Sequence, residues 1–397
     1  MAMDHAGTGP STRAVHAGEP PAELHGPVVN PIVLSSTFHG DPDGEGPVLY
    51  ARYQNGPNHL RVAERLAALE GAEDALVFGS GMAAMACALL SLLRAGDHVV
   101  ATDAIYGGTR ALLSSELSRL GIETTFVDLF SDGWTEAFRP NTRVLVGESP
   151  SNPLLRVLDL RPLCDEARAR GVAVIVDSTF ASPINARPLE HGADLVMHSG
   201  TKYLGGHTDV TAGVIAGSAA RVDEVRARAR VWGPLLDAHA AWLLERGVKT
   251  LALRMERHNA NGMAVARWAE GRPGIARVHY PGLESHPDHA TARRVLDGFG
   301  GMIGIELPDG EAATRFVRAL RMVKLAPSLG GVESLVSEPR FTSHAAMTPE
   351  QRAANGIRDG FLRVSLGIED AADIIADLEQ ALAASMPHER RTDAAAD

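Results

Sequence analysis

A lysine near the middle of the chain stands in a segment that suits covalent chemistry. Residues 194–207 predict a short buried strand that runs into Ser199, Thr201 and Lys202. A lysine that forms a Schiff base needs a partly desolvated position, and hydroxyl groups three residues and one residue before it suit a phosphate ester. The segment therefore predicts a lysine that binds a phosphorylated cofactor covalently. Taken alone, it is equally compatible with an ordinary surface lysine.

An acidic residue ends a predicted strand upstream of this lysine. Residues 172–176 are apolar and are followed directly by Asp177. A carboxylate at the end of a buried strand is costly unless it has a partner, and a protonated pyridine nitrogen is such a partner. Lys202 and Asp177 favour pyridoxal 5′-phosphate (PLP) as the cofactor. An anion site predicted at residues 79–84 adds to this interpretation.

A glycine-rich turn at residues 79–84 predicts an anion site and leaves a second cofactor open. It follows a predicted strand at 75–78, begins a predicted helix at 82–94, and matches the Gly-x-Gly-x-x-Ala dinucleotide fingerprint. Any helix N-terminus with small residues can bind a phosphate through its free N–H groups. A nicotinamide-dependent dehydrogenase is therefore an alternative to a PLP enzyme.

The periodicity of the chain predicts two domains, as expected for 397 residues. From residue 57 onward, short apolar runs alternate with helical patterns, which indicates a largely parallel sheet covered by helices on both faces. After a long helical pattern at 238–269, strands predicted at 302–307 and 361–366 indicate a smaller α+β domain. We therefore expect an α/β fold with a large domain at residues 57–250 and a C-terminal domain at residues 251–385.

The two ends of the chain differ from these predicted domains. Residues 1–56 contain many Pro, Gly and His residues and show little periodicity, so we expect an extended arm. Residues 386–397 are charged and rich in Ala, and we expect a disordered tail.

Composition excludes several classes of partner. The formal net charge is −11, from 38 Lys and Arg against 49 Asp and Glu, and no basic stripe is present, so nucleic acid is not expected as a partner. No apolar run approaches membrane-spanning length, and we expect a soluble, cytoplasmic protein without a membrane partner. Cys87 and Cys164 lie in apolar helical patterns and predict buried free thiols in a reducing compartment. His286 and His289 predict a solvated turn, so no metal site is expected.

Eight segments, in one order, resemble the family of fold type I PLP enzymes that contains cystathionine γ-synthase, cystathionine γ-lyase and methionine γ-lyase. The segments lie at residues 50–52, 79–84, 106–109, 148–153, 176–180, 194–207, 328–334 and 363–370, within a resemblance that covers residues 12–370. The resemblance implies an α/β fold like that of aspartate aminotransferase, with a mainly parallel sheet in the large domain. It also implies a homotetramer, a dimer of dimers with shared active sites.

The resemblance assigns the cofactor-binding residues one by one. Lys202 would carry PLP and move protons between carbons, Asp177 would keep the ring nitrogen protonated, and Tyr106 would stack on the ring and assist proton transfer to the leaving group. The phosphate group would be bound by residues of two subunits. The same subunit would contribute Gly81, Met82, Ser199 and Thr201, and the arm of the neighbouring subunit would contribute Tyr50 and Arg52.

The resemblance also assigns a group that binds the amino-acid substrate. Asn152, Ser328 and Arg363 would hold its α-carboxylate, because the planar guanidinium fork suits bidentate carboxylate capture. From spacing alone, Arg363 is compatible with a surface position, since apolar residues flank it in alternation, and Asn152 is compatible with a turn before a proline. Glu333 is placed in the substrate site and follows a Gly-Gly-Val pattern seen in γ-acting members, which favours γ chemistry over β-lyase chemistry.

The expected reaction is γ-elimination of a sulfur amino acid, as in cystathionine γ-lyase, which yields a 2-oxo acid, ammonia and a thiol. The alternative is γ-replacement on an O-acylhomoserine, as in cystathionine γ-synthase or homoserine sulfhydrylase. A PLP fold that serves only for binding is disfavoured, because Lys202, Tyr106 and Asp177 are all present. Gly108 stands where methionine γ-lyases have a cysteine, which argues against dedicated methionine degradation. Four further departures leave their consequences open: Gly56, Ser178, His239 and Glu338.

Overall fold

The computed structural model describes residues 7–343, 345 and 347–386 of the chain. The described residues form two compact units. The first unit contains residues up to Ser149 and Asp159–Leu253, and the second contains Pro150–Leu158 and the residues from Arg254 onward. The second unit therefore includes a short segment from the first half of the chain. The domain bounds expected from the sequence stay a prediction, and the expected disordered tail lies outside the described residues apart from Met386.

The first unit is built on a seven-stranded sheet in the order β1-β7-β6-β5-β4-β2-β3. Its strands are β1 Asp74–Phe78, β2 His98–Thr102, β3 Glu123–Val127, β4 Thr142–Glu148, β5 Ala173–Asp177, β6 Leu195–Ser199 and β7 Gly213–Gly217. Each strand in the series β3-β2-β4-β5-β6 pairs in parallel with the next. Strand β7 pairs antiparallel with both β6 and β1. This mainly parallel sheet confirms the predicted α/β class.

Helices accompany this sheet along the first unit. They are α1 Pro10–His16, α2 Pro57–Glu70, α3 Gly81–Leu92, α4 Gly107–Ala111, α5 Leu117–Arg119, α6 Leu160–Ala169, α7 Ser182–Asn185, α8 Ala219–Trp232 and α9 Ala238–Val248. The extra residue Gly56 directly precedes α2, which begins with a proline, as helices favour at their first position. The strand β5 is buried along its whole length, as expected for a strand that is covered on both faces.

The second unit is built on a five-stranded sheet in the order β10-β11-β12-β9-β8, with all pairs antiparallel except β10 with β11. The strands are β8 Arg277–His279, β9 Met302–Glu306, β10 Lys324–Leu325, β11 Leu335–Ser337 and β12 Phe361–Ser365. The helices are α10 Leu251–Ala269, α11 His289–Val295, α12 Gly310–Ala319, α13 Pro349–Ala354 and α14 Ala371–Ser385. The single helical pattern at 238–269 is two helices, α9 and α10, because the chain leaves the helix at Lys249 and Thr250.

The N-terminal region carries apolar side chains that the chain itself does not bury. Between α1 and residue 50 the structure has no helix or strand longer than an isolated bridge between Thr37 and Tyr50. Leu24 is 89% exposed and Val28 is 94% exposed. Such side chains are costly in water unless another surface covers them.

Two further findings concern the classes of partner. No helix in the described part of the chain is both long enough and apolar enough to cross a membrane. Cys87 and Cys164 are buried and free, as predicted. Burial raises the pKa of the Cys87 thiol to about 11 and that of Cys164 to about 12, so neither is a reactive thiolate.

Candidate active site

The predicted lysine lies in a tight turn directly after β6. The backbone N–H of Lys202 donates to the carbonyl oxygen of Ser199 at 3.1 Å, and the N–H of Gly206 donates to the carbonyl of Lys202 at 2.8 Å. Thr201 holds this turn against the start of β7, since its Oγ1 accepts a hydrogen bond from the N–H of Ala212 at 3.1 Å. The buried strand and its turn therefore fix the lysine's backbone in place.

The N-terminus of α3 comes close to the end of β6. A Cβ atom added at Gly81 would lie 3.0 Å from the Cβ of Ser199, which is closer than side chains normally approach. Ser80 caps α3 by accepting a hydrogen bond from the N–H of Ala83 at 3.1 Å. The absence of a side chain at Gly81 thus lets free helix N–H groups and the Ser199 hydroxyl lie side by side, which suits a phosphate group.

Asp177 is a buried carboxylate at the end of β5, only 5% exposed. One of its oxygens, Oδ1, accepts hydrogen bonds from the N–H of Thr179 at 3.0 Å and from the hydroxyl of Thr179 at 2.5 Å. Burial raises the pKa of Asp177 above its ordinary value, while the Thr179 hydrogen bonds and the charges of His198 and Lys202 act in the opposite direction. A cation beside this carboxylate would relieve the cost of burial, which is the environment that a protonated pyridine nitrogen supplies.

Thr179 connects this carboxylate to the neighbouring strand. Its Oγ1 accepts a hydrogen bond from the backbone N–H of Ser199 at 2.9 Å while its own proton goes to Asp177. The end of β5 and the end of β6 are therefore linked by one hydroxyl group, next to the turn that holds Lys202. The sequence prediction missed Thr179, although a hydroxyl residue two positions after an aspartate is a common local signal for such a hydrogen bond.

Tyr106 immediately precedes α4, and its side chain is 44% exposed. Its backbone N–H donates to Oε2 of Glu148 at 2.7 Å. Glu148 is the last residue of β4, is 3% exposed, and is the register partner of Asp177 on β5. The sequence prediction included Glu148 in a matching segment but gave it no role, because its partner lies far earlier in the chain.

The predicted carboxylate-binding residues meet within the second unit. Arg363 is the middle residue of β12, and its side chain donates to Oδ1 of Asn152 at 3.1 Å and to the carbonyl oxygen of Ser328 at 3.1 Å. Arg363 is 7% exposed, so a surface position for it is wrong. Glu333 lies half-buried in the loop before β11. The guanidinium group is thus oriented by two oxygen atoms in a protected position.

Tyr50 and Arg52 contact each other and helix α8. The guanidinium group of Arg52 donates to the carbonyl oxygen of Arg230 in α8 at 2.5 Å and lies over the rings of Tyr50 and Tyr53. Within the described residues, no hydrogen bond joins Tyr50 or Arg52 to Ser199. A role of Tyr50 and Arg52 in binding the phosphate therefore stays a prediction.

Two departures from the expected family pattern, Glu338 and His239, have local contacts in the structure, and nothing in the structure explains Ser178. Glu338 forms an ion pair with Arg340, at 2.6 and 3.0 Å from two guanidinium nitrogens, so the acidic residue serves the packing of the second unit. His239 stacks against Trp242 with 6.3 Å between ring centroids. Ser178 is fully buried directly after β5. None of these three side chains takes the place of a predicted cofactor-binding group.

The residues of the first unit fit PLP in three respects. Asp177 is a buried carboxylate that favours a cationic partner. Lys202 is close enough to lower the pKa of Asp177, and Gly81 leaves the N-terminus of α3 uncovered. All three lie at the same edge of one sheet. Among the described residues, no cluster of His, Cys, Asp and Glu could hold a metal ion.

The model of the Cys/Met metabolism PLP-dependent enzyme family matches residues 11–383. The chain belongs to this family. L-Methionine γ-lyase of Pseudomonas putida is 41% identical over 387 residues, which cover 94% of this chain and 97% of the relative. Cystathionine γ-synthase of Mycobacterium bovis is 43% identical over 380 residues, with 94% and 97% covered. The solved structure of cystathionine γ-lyase from Lactobacillus plantarum complexed with L-serine has a TM-score of 0.91 at 35% identity, covering 95% of this chain and 99% of that chain.

Membership of the Cys/Met metabolism family decides the cofactor and the fold. The chain is a PLP-dependent enzyme of the carbon–sulfur lyase and transsulfuration group, with the fold type I architecture expected from its motifs. The nicotinamide interpretation of residues 79–84 is wrong, since that glycine-rich turn belongs to a PLP enzyme. The same strand, turn and helix N-terminus can bind a phosphate group in either cofactor, and so the turn alone did not distinguish them.

Proposed function

We propose that this enzyme catalyses γ-elimination from a sulfur amino acid of the cystathionine type and releases a 2-oxo acid, ammonia and a thiol. The observation that carries the proposal is the buried carboxylate of Asp177, held by Thr179 at a strand end beside the turn of Lys202. The preference for the γ position rests on Glu333 in the Gly-Gly-Val pattern of γ-acting members, since relatives at about 41% identity include both a methionine γ-lyase and a cystathionine β-lyase.

The first unit supplies the groups that bind the cofactor. Gly81 and Met82 would donate backbone N–H groups to the phosphate, and Ser199 would donate its hydroxyl group. Thr201 would join them if its hydroxyl, which donates to the carbonyl oxygen of Ala212 at 3.3 Å, turned towards the phosphate. Asp177 would hold the ring nitrogen in its protonated form. When bound, PLP supplies an electron sink that stabilises negative charge at the substrate carbons.

The enzyme's own side chains move the protons of the reaction. Lys202 would hold the cofactor through its side-chain nitrogen. When free, its amine would take a proton from Cα and one from Cβ of the substrate and would return one of them to Cγ. The bond between Cγ and sulfur breaks as its electron pair leaves with the sulfur, and the hydroxyl of Tyr106 gives that sulfur a proton. The second proton that Lys202 takes would restore the hydroxyl of Tyr106, and hydrolysis by one water would release the remaining four-carbon unit as a 2-oxo acid and ammonia.

The second unit supplies recognition of the amino acid. Arg363 pairs with the α-carboxylate through its planar fork, and this is supported by the two oxygen acceptors that orient the guanidinium group, Oδ1 of Asn152 and the carbonyl of Ser328. Glu333 contributes to the same recognition group. A lysine could not reproduce the two parallel hydrogen bonds.

A second candidate reaction is γ-replacement, in which a thiol adds to Cγ after the leaving group departs. The similarity to cystathionine γ-synthase favours it, since this relative aligns over nearly the whole chain. The two reactions share every step up to loss of the γ-substituent, so the binding residues are the same for both.

One assay separates these reactions. The purified enzyme is incubated with cystathionine, methionine and O-acylated homoserines, each with and without a thiol, and the products are identified by mass spectrometry. We expect a 2-oxo acid and ammonia from cystathionine without added thiol. Formation of a thioether from an O-acylhomoserine, with no elimination of cystathionine, would establish γ-replacement in its place.

We also propose that the active enzyme is a homotetramer, a dimer of dimers in which the arm of one subunit completes the neighbour's phosphate site through Tyr50 and Arg52. The exposed apolar side chains of Leu24 and Val28 support an arm that docks on another subunit. The cytoplasmic location stays a prediction from composition.

Complementation between two inactive variants tests the shared site. Arg52→Ala subunits and Lys202→Ala subunits are mixed under conditions in which subunits exchange, and activity is compared with that of each variant alone. We expect activity to return, because some hybrid dimers contain one site with both residues intact. Hybrids that form without regaining activity would show that the arm serves its own subunit.

A further inference from the structure

The backbone of Tyr106 is hydrogen-bonded to a buried acid that the proposed chemistry does not use. Glu148 and Asp177 are register partners at the ends of two adjacent parallel strands, and both are buried. Asp177 accepts its hydrogen bonds from Thr179, whereas Glu148 accepts one from the backbone N–H of Tyr106 at 2.7 Å. A buried carboxylate is stable only with donors of this kind. The two neighbouring acids therefore have different tasks.

The backbone of Tyr106 is held where the chain enters α4. Tyr106 has no side-chain cap of its own at this point, and the helix continues with the N–H of Arg110 donating to the carbonyl of Tyr106 at 2.9 Å. The N–H of Tyr106 itself donates to Oε2 of Glu148 at 2.7 Å, and this bond is strongest when the acid is ionised. The end of β4 thus fixes the residue that starts the helix.

The ring of Tyr106 packs directly against Gly108, which has no side chain. A Cβ atom added at Gly108 would lie 2.5 Å from Cε1 of Tyr106 and 3.0 Å from Sδ of Met82. Real Cβ atoms do not approach a ring carbon so closely, so a methyl group at this position would force the ring or Met82 to move. The Tyr106 ring therefore lies against the bare backbone of Gly108, and the sulfur of Met82 borders the same space.

We propose that Glu148 is a positioning residue for Tyr106, and that Glu148 and Gly108 together fix where the Tyr106 ring lies. This inference rests on the proposed function, in which Tyr106 stacks on the cofactor and protonates the leaving sulfur. Glu148 touches neither the substrate nor the cofactor in this scheme. It acts through the backbone of Tyr106.

A double-mutant cycle tests whether Glu148 acts through Tyr106. Glu148→Gln keeps the shape of the side chain and removes its charge, and we expect kcat to fall about tenfold while KM changes less than about twofold. In a Tyr106→Ala background the ring is absent, so the same change should have no further effect on kcat. An equal fall in both backgrounds would assign Glu148 a general structural role and overturn the proposal.

A spectroscopic measurement on the holoenzyme gives a readout independent of activity. The chain has five tyrosines, so 3-fluorotyrosine labelling gives five ¹⁹F resonances, and the Tyr106→Phe variant identifies that of Tyr106. We expect Glu148→Gln and Gly108→Ala each to shift this resonance. Asp377→Asn removes another buried carboxylate that accepts backbone N–H bonds, and Gly9→Ala adds a methyl group in open space, so neither control should shift it.

The outcomes separate this inference from the proposed function. If Tyr106→Ala leaves kcat unchanged, the catalytic role of Tyr106 is wrong, while the ¹⁹F shifts still decide whether Glu148 and Gly108 position the ring. A Tyr106 resonance that is unchanged in both variants overturns the positioning. If Glu148→Gln does not fold, Glu148→Asp, which keeps the charge one methylene further from the Tyr106 N–H, replaces it in both experiments with the same expected shift and fall in kcat.

Discussion

The two sheets of this enzyme place their charged residues in different ways. In the first unit, Asp177 and Ser199 end two parallel strands, and Lys202 follows in the next turn. In the second unit, Arg363 lies in the middle of an antiparallel strand and is nonetheless buried. A functional residue at the end of a parallel strand is visible where an apolar run stops, whereas one inside an alternating strand looks like a solvent-facing position until its packing is known.

The two sites also differ in what stabilises the buried charge. Asp177 accepts hydrogen bonds from the hydroxyl group and the N–H of one nearby residue, Thr179. Burial raises the pKa of Asp177 and so disfavours its ionised form. Arg363 is held by Asn152 and by the carbonyl of Ser328, which come from two separate loops. We expect changes in the first unit to affect the chemical step and changes in the second to affect substrate binding.

The largest effect is expected for Lys202→Ala. Removal of the amine should lower kcat on the order of 10³-fold or more and abolish covalent attachment of the cofactor. The chain has three lysines, Lys202, Lys249 and Lys324, so borohydride reduction followed by peptide mapping identifies the attachment site directly. The exposed Lys324 provides the control, since Lys324→Ala should retain the adduct and the activity. An adduct on either other lysine would disprove the assignment.

A smaller loss is expected for Asp177→Asn. This change keeps the shape and removes the charge that holds the ring nitrogen protonated, so kcat should fall about 100-fold with little change in KM. Asp194→Asn is the matched control, because Asp194 accepts an N–H from Val174 at the opposite end of the same strands. Steady-state kinetics of both variants decide the point, and an unchanged kcat in Asp177→Asn would refute the role.

Arg363→Lys should have the opposite kinetic pattern. The point charge of lysine cannot form two parallel hydrogen bonds with a carboxylate, so KM should rise about tenfold while kcat changes less. Arg257→Lys, at an exposed ion pair with Asp370, should leave both constants unchanged. A fall in kcat alone would mean that the second unit contributes to the chemical step. It would disprove the expected difference between the effects of changes in the two units.

The pH dependence of stability is expected to involve a buried histidine of the second unit. The sequence predicted a solvated turn at His286, and this is wrong because His286 is 4% exposed. Burial lowers the pKa of His286 to about 4, from an ordinary value of 6.5. The unfolded chain binds this proton more readily than the folded chain does, so stability is lost as pH falls from about 6.5 towards about 4, by on the order of 3 kcal/mol at the lower limit. His286→Gln should therefore reduce the fall in Tm between pH 7 and pH 5.

The exposed His39 provides the control for this measurement. His39→Gln should leave the difference in Tm between the two pH values as it is in the unaltered enzyme. An equal difference in Tm for His286→Gln and the unaltered enzyme would show that this buried imidazole does not govern the acid sensitivity of the second unit.

Much of the fold was predictable because periodicity is a local property. The apolar run at 172–176 indicated β5 and its final carboxylate, and the strands predicted at 302–307 and 361–366 are β9 and β12 to within one residue at each end. The prediction of one continuous helical segment at 238–269 was wrong, because the helix is interrupted at residues 249 and 250. These two polar residues do not change the average spacing of apolar residues in the segment.

The sequence by itself determined which residues end the buried strands and which motifs surround them, and from these the cofactor and the family followed. Only the tertiary structure decided that Arg363 is buried, that the Thr179 hydroxyl links Asp177 to Ser199, and that Glu148 holds the backbone of Tyr106. The physical reason is that the spacing of apolar residues indicates only whether their own segment is buried. A hydrogen bond between distant segments depends on how the sheet orders its strands, and no local pattern records that order.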